Sequence, residues 1–261
     1  MIHGFGASLH TFNAWSEELT RDHRVVRYDM PGAGLTGADP TGDYSDARSL
    51  EVLLALLDAL GIRRAHVAGH SIGGRIAWKM AALHPRRVNR LALIAPDGFQ
   101  SLLFRYGKPT HVPLIFHVAR HVLPRSLVRM ALMQAYADPR RVSEALVERY
   151  YDLLRAPGVR EASLARLSQT VLEPPEPLLR RIQAPTLLLW GERDHIIPPT
   201  RAGDFLRAIP KARLARLPQV GHVPHEEAPR ASLQALRAFL AEDERREPEP
   251  TASAGPTARG R

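Results

Sequence analysis

The chain has 261 residues, of which 44% are hydrophobic and 24% charged, a balance typical of one globular domain that excludes wholesale disorder and collagen-like repeats. It contains no cysteine, which excludes disulfides, cysteine-ligated zinc, iron–sulfur clusters and thiol catalysis. The formal net charge is +9, but the arginines are spread along the sequence and are not gathered with aromatic residues, so we expect no nucleic-acid binding. No apolar run approaches the roughly 18 residues that a bilayer span requires, so we expect no membrane span.

Short strands alternate with helices in the first third of the chain. Apolar residues recur at helical spacing between 47 and 60, and a second helix is predicted over 72–83. Runs rich in β-forming or apolar residues predict strands before, between and after these helices, at 24–28, 65–68 and 91–95. Because such alternation implies parallel βαβ units, we expect an α/β fold with a mostly parallel sheet flanked by helices.

A long helical stretch then interrupts the alternation. From about 99 to 182 every strong signal is helical, which predicts an inserted helical subdomain. Strand-like sequence returns at 186–190 and near 212–217, and a last helix is predicted over about 224–240.

These patterns divide the chain into four segments. Two segments form the α/β core, residues 1–97 and 183–241, and the helical subdomain at 98–182 lies between them. Residues 242–261 are charged and rich in Pro, Gly, Ala and Glu, so we predict a disordered tail there.

Residues 69–73, with the sequence GHSIG, match the pattern G-x-S-x-G between a predicted strand and a predicted helix. A sharp turn at this place would lift the Ser71 hydroxyl above the sheet in a strained backbone conformation. The helix that begins near Ile72 would favour negative charge developing beside the serine. Ser71 is therefore a candidate nucleophile, and the alternative is an ordinary glycine-rich turn with a capping serine.

A serine hydroxyl needs a base to become a nucleophile at neutral pH, and the base needs an acid to orient it. His222 follows Gly221 after the last predicted strand and is the candidate base; the alternative is a histidine in a surface loop. Asp194 comes directly after the strand at 186–190, at the carboxyl edge of the sheet, and is the candidate acid. Asp97 follows the strand at 91–95 in the same way and is the alternative acid.

A glycine-rich turn at residues 3–6, HGFG, offers the remaining part of such a site. The tetrahedral intermediate of acyl transfer carries negative charge on the former carbonyl oxygen, which backbone N–H groups can stabilise. The N–H groups of Phe5 and Ile72 are the expected donors of this oxyanion hole, although the glycines could also serve only to turn the chain. This chemistry requires no metal and no organic cofactor.

Two other patterns in the sequence are weaker. Residues 32–37 match G-x-G-x-x-G after a strand, but helix-breaking residues follow, so we expect no dinucleotide site. His117 and His121 are four residues apart on a predicted helix, yet no Glu follows His117 and Arg120 adds positive charge, so we expect no metal site.

Together these motifs make the chain resemble the α/β-hydrolase fold family, in the branch of serine esterases and lipases with a helical cap. The resemblance extends from residue 3 to about 240 and is carried by five segments: 3–6 (HGFG), 29–35 (DMPGAGL), 69–74 (GHSIGG), 191–194 (GERD) and 221–229 (GHVPHEEAP). It implies that the helical subdomain is a cap over the sheet. It also implies hydrolysis of a small-molecule ester, or a related acyl bond, through a covalent acyl-enzyme.

Several branches and classes of this family remain as alternatives. Serine at position 71 argues against the dehalogenase and epoxide-hydrolase branches, which use aspartate there. Members that cleave carbon–carbon bonds tend to carry Asn before the serine and Trp after the histidine, where this chain has His70 and Val223. Acyl transfer uses the same three residues, and the scaffold also serves in ligand-binding proteins without turnover.

The family pattern places a central strand before the turn at 3–6, preceded by a hairpin, but only Met1 and Ile2 precede His3. We expect the missing strand to lie between those at 24–28 and 65–68, with Met1 an internal residue of it. An inactive truncated gene product is the alternative. The given sequence carries no signal peptide, which makes the cytoplasm the default location, and it leaves the oligomeric state open.

Overall fold

The computed structural model of the chain describes residues 1–101, 104–110 and 112–244. In this part of the chain a sheet forms in the order β1-β2-β3-β4, and all neighbouring strands are parallel. The strands are β1 (Ala65–His70), β2 (Val88–Ile94), β3 (Thr186–Gly191) and β4 (Ala212–Leu217). The predicted α/β fold with a parallel sheet flanked by helices is confirmed.

Helices lie before, between and after these strands. In chain order they are α1 (Asn13–Leu19), α2 (Asp46–Ala59), α3 (Ile72–Leu83), α4 (Leu114–His121), α5 (Arg125–Ala135), α6 (Glu144–Leu154), α7 (Val159–Gln169), α8 (Glu176–Leu179), α9 (Arg201–Ala208), α10 (Pro224–Glu227) and α11 (Pro229–Glu244). Short 3₁₀ helices occupy Leu9–Phe12, Pro85–Arg87 and Pro139–Arg141.

Both faces of the sheet are covered by apolar side chains, as the sequence of β3 illustrates. Leu188 belongs to the apolar cluster on one face, whereas Leu187 and Leu189 belong to the cluster on the other. All three side chains are buried. Successive residues of a strand point to opposite faces, so a continuous apolar run marks a strand that is buried on both sides.

The N-terminal residues run between residues 24–28 and β1. The Ile2 N–H donates to the Ala68 carbonyl at 2.9 Å, and its carbonyl accepts from the His70 N–H at 3.0 Å. Ile2 also pairs with Tyr28 in a parallel bridge. The prediction of a strand over 24–28 was therefore wrong beyond this one bridge, because only Met1, which donates to the Val26 carbonyl at 2.7 Å, and Ile2 supply adjacent backbone for a strand to pair with.

A cavity of about 580 Å³ lies beside this N-terminal segment. Met1, Val26, Leu57 and Val67 contribute to its lining, so it opens between residues 24–28, α2 and β1. This is the place where the sequence predicts a further strand.

Helices α4 to α8 follow one another between β2 and β3 and form the helical insertion. Side chains of α5 and α6 build a separate apolar cluster that includes Leu132, Tyr136 and Val147. Val223, the residue after His222, packs into the same cluster. The insertion thus rests on the loop that carries the predicted base, and its role as a cap stays a prediction.

The C-terminal part differs from the expected single helix over 224–240. Two helices, α10 and α11, are separated at Ala228, because Pro229 disfavours helical backbone at the residue before it. Helix α11 continues to Glu244, beyond the expected start of the disordered tail at 242, and residues 245–261 of that tail lie outside the described residues. None of the helices in the described ranges is long and apolar enough to cross a membrane.

Candidate active site

Ser71 lies in the sharp turn between β1 and α3. Its backbone has φ 52° and ψ −119°, in a region that side-chain-bearing residues seldom occupy. The Ser71 N–H donates to the Ile94 carbonyl at 3.0 Å, and the Ser71 carbonyl accepts from the Asp97 N–H at 3.0 Å. Such a conformation costs about 1–3 kcal/mol and persists where surrounding bonds hold it, as these do.

Glycines around this turn allow the N-terminal segment to pass closely. A Cβ atom on Gly73 would lie 2.5 Å from the Ile2 carbonyl oxygen, and it would also overlap the His3 carbonyl oxygen. A Cβ atom on Gly4 would lie 3.3 Å from the Ser71 Cβ. The turn at 3–6 therefore runs directly beside Ser71, and only glycine fits at position 73.

The side chains of His222 and Asp194 are paired and almost fully buried. The His222 Nδ1–H donates to Asp194 Oδ2 at 2.8 Å. Asp194 Oδ1 accepts from the backbone N–H groups of Ile196 and Ile197 at 2.8 and 2.9 Å. With its proton on Nδ1, the imidazole presents an unprotonated Nε2, which is the form a general base needs.

Asp97, the alternative acid, has different partners. It forms a buried ion pair with Arg75 and accepts from the Gly98 N–H at 2.7 Å. Arg75 also binds Asp46 at 3.0 Å, so a buried chain of charges joins α2, α3 and the residues after β2. Of the two predicted acids, the structure brings Asp194 to His222 and Asp97 to Arg75.

His70 connects the serine turn to the histidine loop, a contact that the motifs alone did not reveal. Its Nε2–H donates to the His222 carbonyl at 2.9 Å, and the two ring centroids are 4.7 Å apart. The ring is buried, and burial lowers the pKa of His70 well below its ordinary value. His70 is therefore a neutral donor at neutral pH that ties the residue before Ser71 to His222.

The turn that carries Phe5 is fixed by the ring of His3. Its Nδ1–H donates to the Gly4 carbonyl at 2.8 Å, and its Nε2 accepts from the Met30 N–H at 3.0 Å. Burial lowers the pKa of His3 to about 4, so the ring is neutral. Phe5 follows Gly4 in this turn, and Ile72 is the first residue of α3, where backbone N–H groups have no partner within the helix. Both predicted donors thus belong to the backbone segments that flank Ser71.

His225 is a further buried histidine of the site region with no assigned role in the sequence motifs. It is fully buried, stacks on Phe12 with ring centroids 4.6 Å apart, and hydrogen-bonds Thr11 Oγ1 through Nε2 at 3.0 Å. Burial lowers the pKa of His225 to about 3. Its spacing of three residues after His222 is the sequence signal that could have pointed to it.

The histidines of the weaker metal pattern lie on the surface of the insertion. His117 and His121 are exposed on α4, and the guanidinium of Arg120 donates a hydrogen bond to His121 Nε2 at 3.0 Å. Within the described residues, no group of three or more His, Asp or Glu side chains is arranged to hold a metal ion.

Comparisons with known proteins show the family to which the chain belongs. A family model described as "alpha/beta hydrolase fold" matches residues 1–229. The chain is 34% identical over 246 residues to the dihydrolipoyllysine-residue acetyltransferase component of the acetoin cleaving system of Pseudomonas putida, a match that covers 92% of this chain and 62% of that protein. The chain therefore spans less than two thirds of that relative.

Two further matches cover most of both proteins. The chain is 30% identical to the 2-hydroxymuconate semialdehyde hydrolase of Pseudomonas putida, over 93% of this chain and 86% of the relative. The solved structure of a membrane phospholipase A is 29% identical, with a TM-score of 0.78, and the match covers 93% of this chain and 78% of that one. The chain belongs to the α/β-hydrolase fold family.

Proposed function

We propose that the protein is a serine hydrolase that cleaves a carboxylic ester of a small, largely apolar substrate through a covalent acyl-enzyme. The observation that carries this proposal is the buried His222–Asp194 pair, whose histidine loop is bonded to the strained turn of Ser71. A buried carboxylate that accepts from imidazole Nδ1–H both orients the ring and stabilises the imidazolium that forms during the reaction.

In the proposed reaction, His222 Nε2 takes the proton from Ser71 Oγ as the oxygen attacks the ester carbonyl. The carbonyl oxygen becomes negatively charged and is stabilised by the N–H groups of Phe5 and Ile72. The intermediate then collapses: the carbon–oxygen bond to the alcohol breaks, and the imidazolium of His222 gives its proton to the departing alcohol. Water, deprotonated by the same histidine, hydrolyses the acyl-enzyme and regenerates Ser71.

Two features favour an ester over the alternatives. The phospholipase relative, by its name, acts on esters, and Val223 beside the base is packed among apolar side chains of the insertion. Cleavage of a carbon–carbon bond is the second candidate, favoured by the 30% identity to 2-hydroxymuconate semialdehyde hydrolase. His70 and Val223 occupy positions where members with that activity tend to carry Asn and Trp. Acyl transfer to another acceptor is a third reaction that the same acyl-enzyme allows. It is supported by the 34% identity to a protein named as an acetyltransferase component.

The test is hydrolysis of p-nitrophenyl esters of increasing acyl length by the full chain, with a ring-fission dienoate as the competing substrate. We expect ester turnover and labelling by a fluorophosphonate, both lost by at least about 10³-fold in Ser71→Ala. Ser168→Ala, which removes an exposed hydroxyl on α7, is the matched control and should behave as wild type. A folded wild-type protein that neither labels nor cleaves any ester would refute the proposal, and preferential cleavage of the dienoate would favour the second candidate.

A further inference from the structure

We propose that Glu227 is a positioning residue that holds the His222 loop and the helical insertion together as one unit. Its Oε2 accepts from the Gly221 N–H at 2.6 Å, directly before His222. Its Oε1 accepts from the N–H groups of Ala137 and Asp138, at 3.0 and 3.1 Å, just after α5 in the insertion. One carboxylate thus bridges two segments of backbone, and the inference rests on the proposed role of His222 as the base.

A carboxylate suits this bridge because both of its oxygens are acceptors and neither is a donor. Glu227 is 4% exposed, so water does not compete effectively for the three N–H groups that it binds. A glutamine has the same shape but only one acceptor oxygen. Its NH₂ group would face either the Gly221 N–H or the N–H groups of the insertion, so at most one side of the bridge would remain.

The two backbone segments also touch each other directly. The His222 N–H donates to the Ala135 carbonyl at 2.7 Å. A Cβ atom on Gly221 would lie 2.5 Å from the Ala135 carbonyl oxygen and 2.7 Å from the Ala137 nitrogen. Arg141 of the insertion donates to the Glu227 carbonyl at 2.7 Å, which adds a further bond between the same partners.

The consequence is that the end of α5 fixes where His222 sits. A general base must be held within a fraction of an ångström of its working position, and a displacement of about 1 Å can cost about 10²-fold in rate. Loss of the bridge would let the loop at 221–222 and the segment at 135–138 shift relative to each other. The proton transfer from Ser71 would slow, while the apolar contacts that bind substrate would remain.

The neighbouring residue provides a matched control on the same short helix. Glu226 also ties α10 to the insertion, but it binds side chains: it accepts from the Tyr150 hydroxyl at 2.8 Å and pairs with Arg149. Its carboxylate is not part of the bridge to the backbone of residues 221 and 137–138. Glu226→Gln therefore removes one negative charge and weakens contacts with the side chains of Tyr136, Arg149 and Tyr150 of the insertion, without touching that bridge.

The experiment compares Glu227→Gln with Glu226→Gln by steady-state kinetics and by hydrogen exchange. For Glu227→Gln we expect kcat to fall by about tenfold or more with KM within about twofold, and faster exchange in 135–141 and 218–224 together. Glu226→Gln should keep kcat within about threefold and leave exchange at 218–224 unchanged. Glu227→Asp, which is shorter by one methylene but still anionic, should recover less than half of the lost kcat because it cannot reach both segments.

Several results would overturn the proposal. One is a folded Glu227→Gln protein with wild-type kcat; another is faster exchange confined to 224–229, or an equal loss of kcat in Glu226→Gln. If Glu227→Gln does not fold, wild-type hydrogen exchange decides: the Gly221, Ala137 and Asp138 amides must open with one common rate, and independent rates reject the bridge. Hydrogen exchange is measured without substrate. A wild-type protein that cleaves no ester would therefore refute the proposed function, but the exchange test of the Glu227 bridge could still be carried out.

Discussion

The core and the helical insertion differ in how completely they bury their apolar side chains. In the core, β2, β3 and most of α3 are buried, and backbone bonds hold even the strained Ser71 in place. Of the eleven large hydrophobic side chains that are exposed among the described residues, six belong to a short stretch of the insertion: Leu114, Ile115, Val118, Val122, Met130 and Met133. The predicted catalytic groups thus lie where the backbone is most constrained, whereas the insertion leaves an apolar face that the fold does not use.

The largest expected effect, a loss of kcat, should come from replacing one of the two buried acids of the core by asparagine. Asp194→Asn should lower kcat by about 10³–10⁴-fold with little loss of stability, because the ring of His222 loses its orienting acceptor for Nδ1–H. Asp97→Asn should lower kcat by less than about tenfold but lower the free energy of unfolding by about 1–3 kcal/mol, since the buried Arg75 loses one anionic partner and keeps Asp46. Ester kinetics and urea unfolding measure both.

The reverse pattern, with the larger kinetic loss in Asp97→Asn, would assign the acid to Asp97. It would also mean that the buried charge chain of Asp46, Arg75 and Asp97 serves the reaction rather than the fold. Arg75→Met, which removes the cation from that chain, is the control: it should resemble Asp97→Asn in stability and leave the pairing of His222 with Asp194 intact.

The difference between the regions also explains what the sequence could predict. Ser71, Asp194 and His222 could be predicted as site residues because each lies in a short motif whose glycines indicate a local backbone constraint. The contacts that hold these residues are non-local: Glu227 reaches a residue 90 positions away, and His70 bonds a carbonyl 152 positions away. The strand expected over 24–28 failed for the same reason, because β-propensity is a local property and pairing requires a neighbour. No sequence pattern specified which face of α4 would be left exposed.

Acid should destabilise the core through its buried histidines. Burial lowers the pKa values of His3 and His225 to about 4 and about 3, and the pKa of His70 well below its ordinary value of 6.5. As the pH falls below 6.5, the unfolded chain binds protons that the folded chain does not, so stability is lost on acidification. Each histidine should cost about 1 kcal/mol between pH 6.5 and 5.5, or about 3 kcal/mol in total.

Urea unfolding at these two pH values measures this effect, and one variant from each region sharpens it. His225→Gln should reduce the pH dependence by about one third, because it removes one of three proton-binding sites of the unfolded state. Ser168→Ala, on α7 of the insertion, changes no titratable group and should leave the pH dependence as it is in the wild type. Equal effects of the two variants would mean that the buried histidines do not control acid stability.

The smallest effect is expected on the apolar face of the insertion. Leu114 is 76% and Val118 52% exposed, and they are four residues apart on α4, so both side chains point to the same side. Replacing both with serine should change the free energy of unfolding by less than about 1 kcal/mol, as substitutions at exposed positions typically do. Replacing the fully buried Leu188 of β3 with serine should cost at least about 3 kcal/mol, because it opens a cavity and buries a hydroxyl. Urea unfolding compares the two proteins directly.

A loss for the α4 pair as large as that for Leu188 would show that this face is packed in solution, and the insertion would then be as closed as the core. A small loss would mean that the fold tolerates the face but does not require it, which leaves contacts outside the fold as the reason for its apolar character.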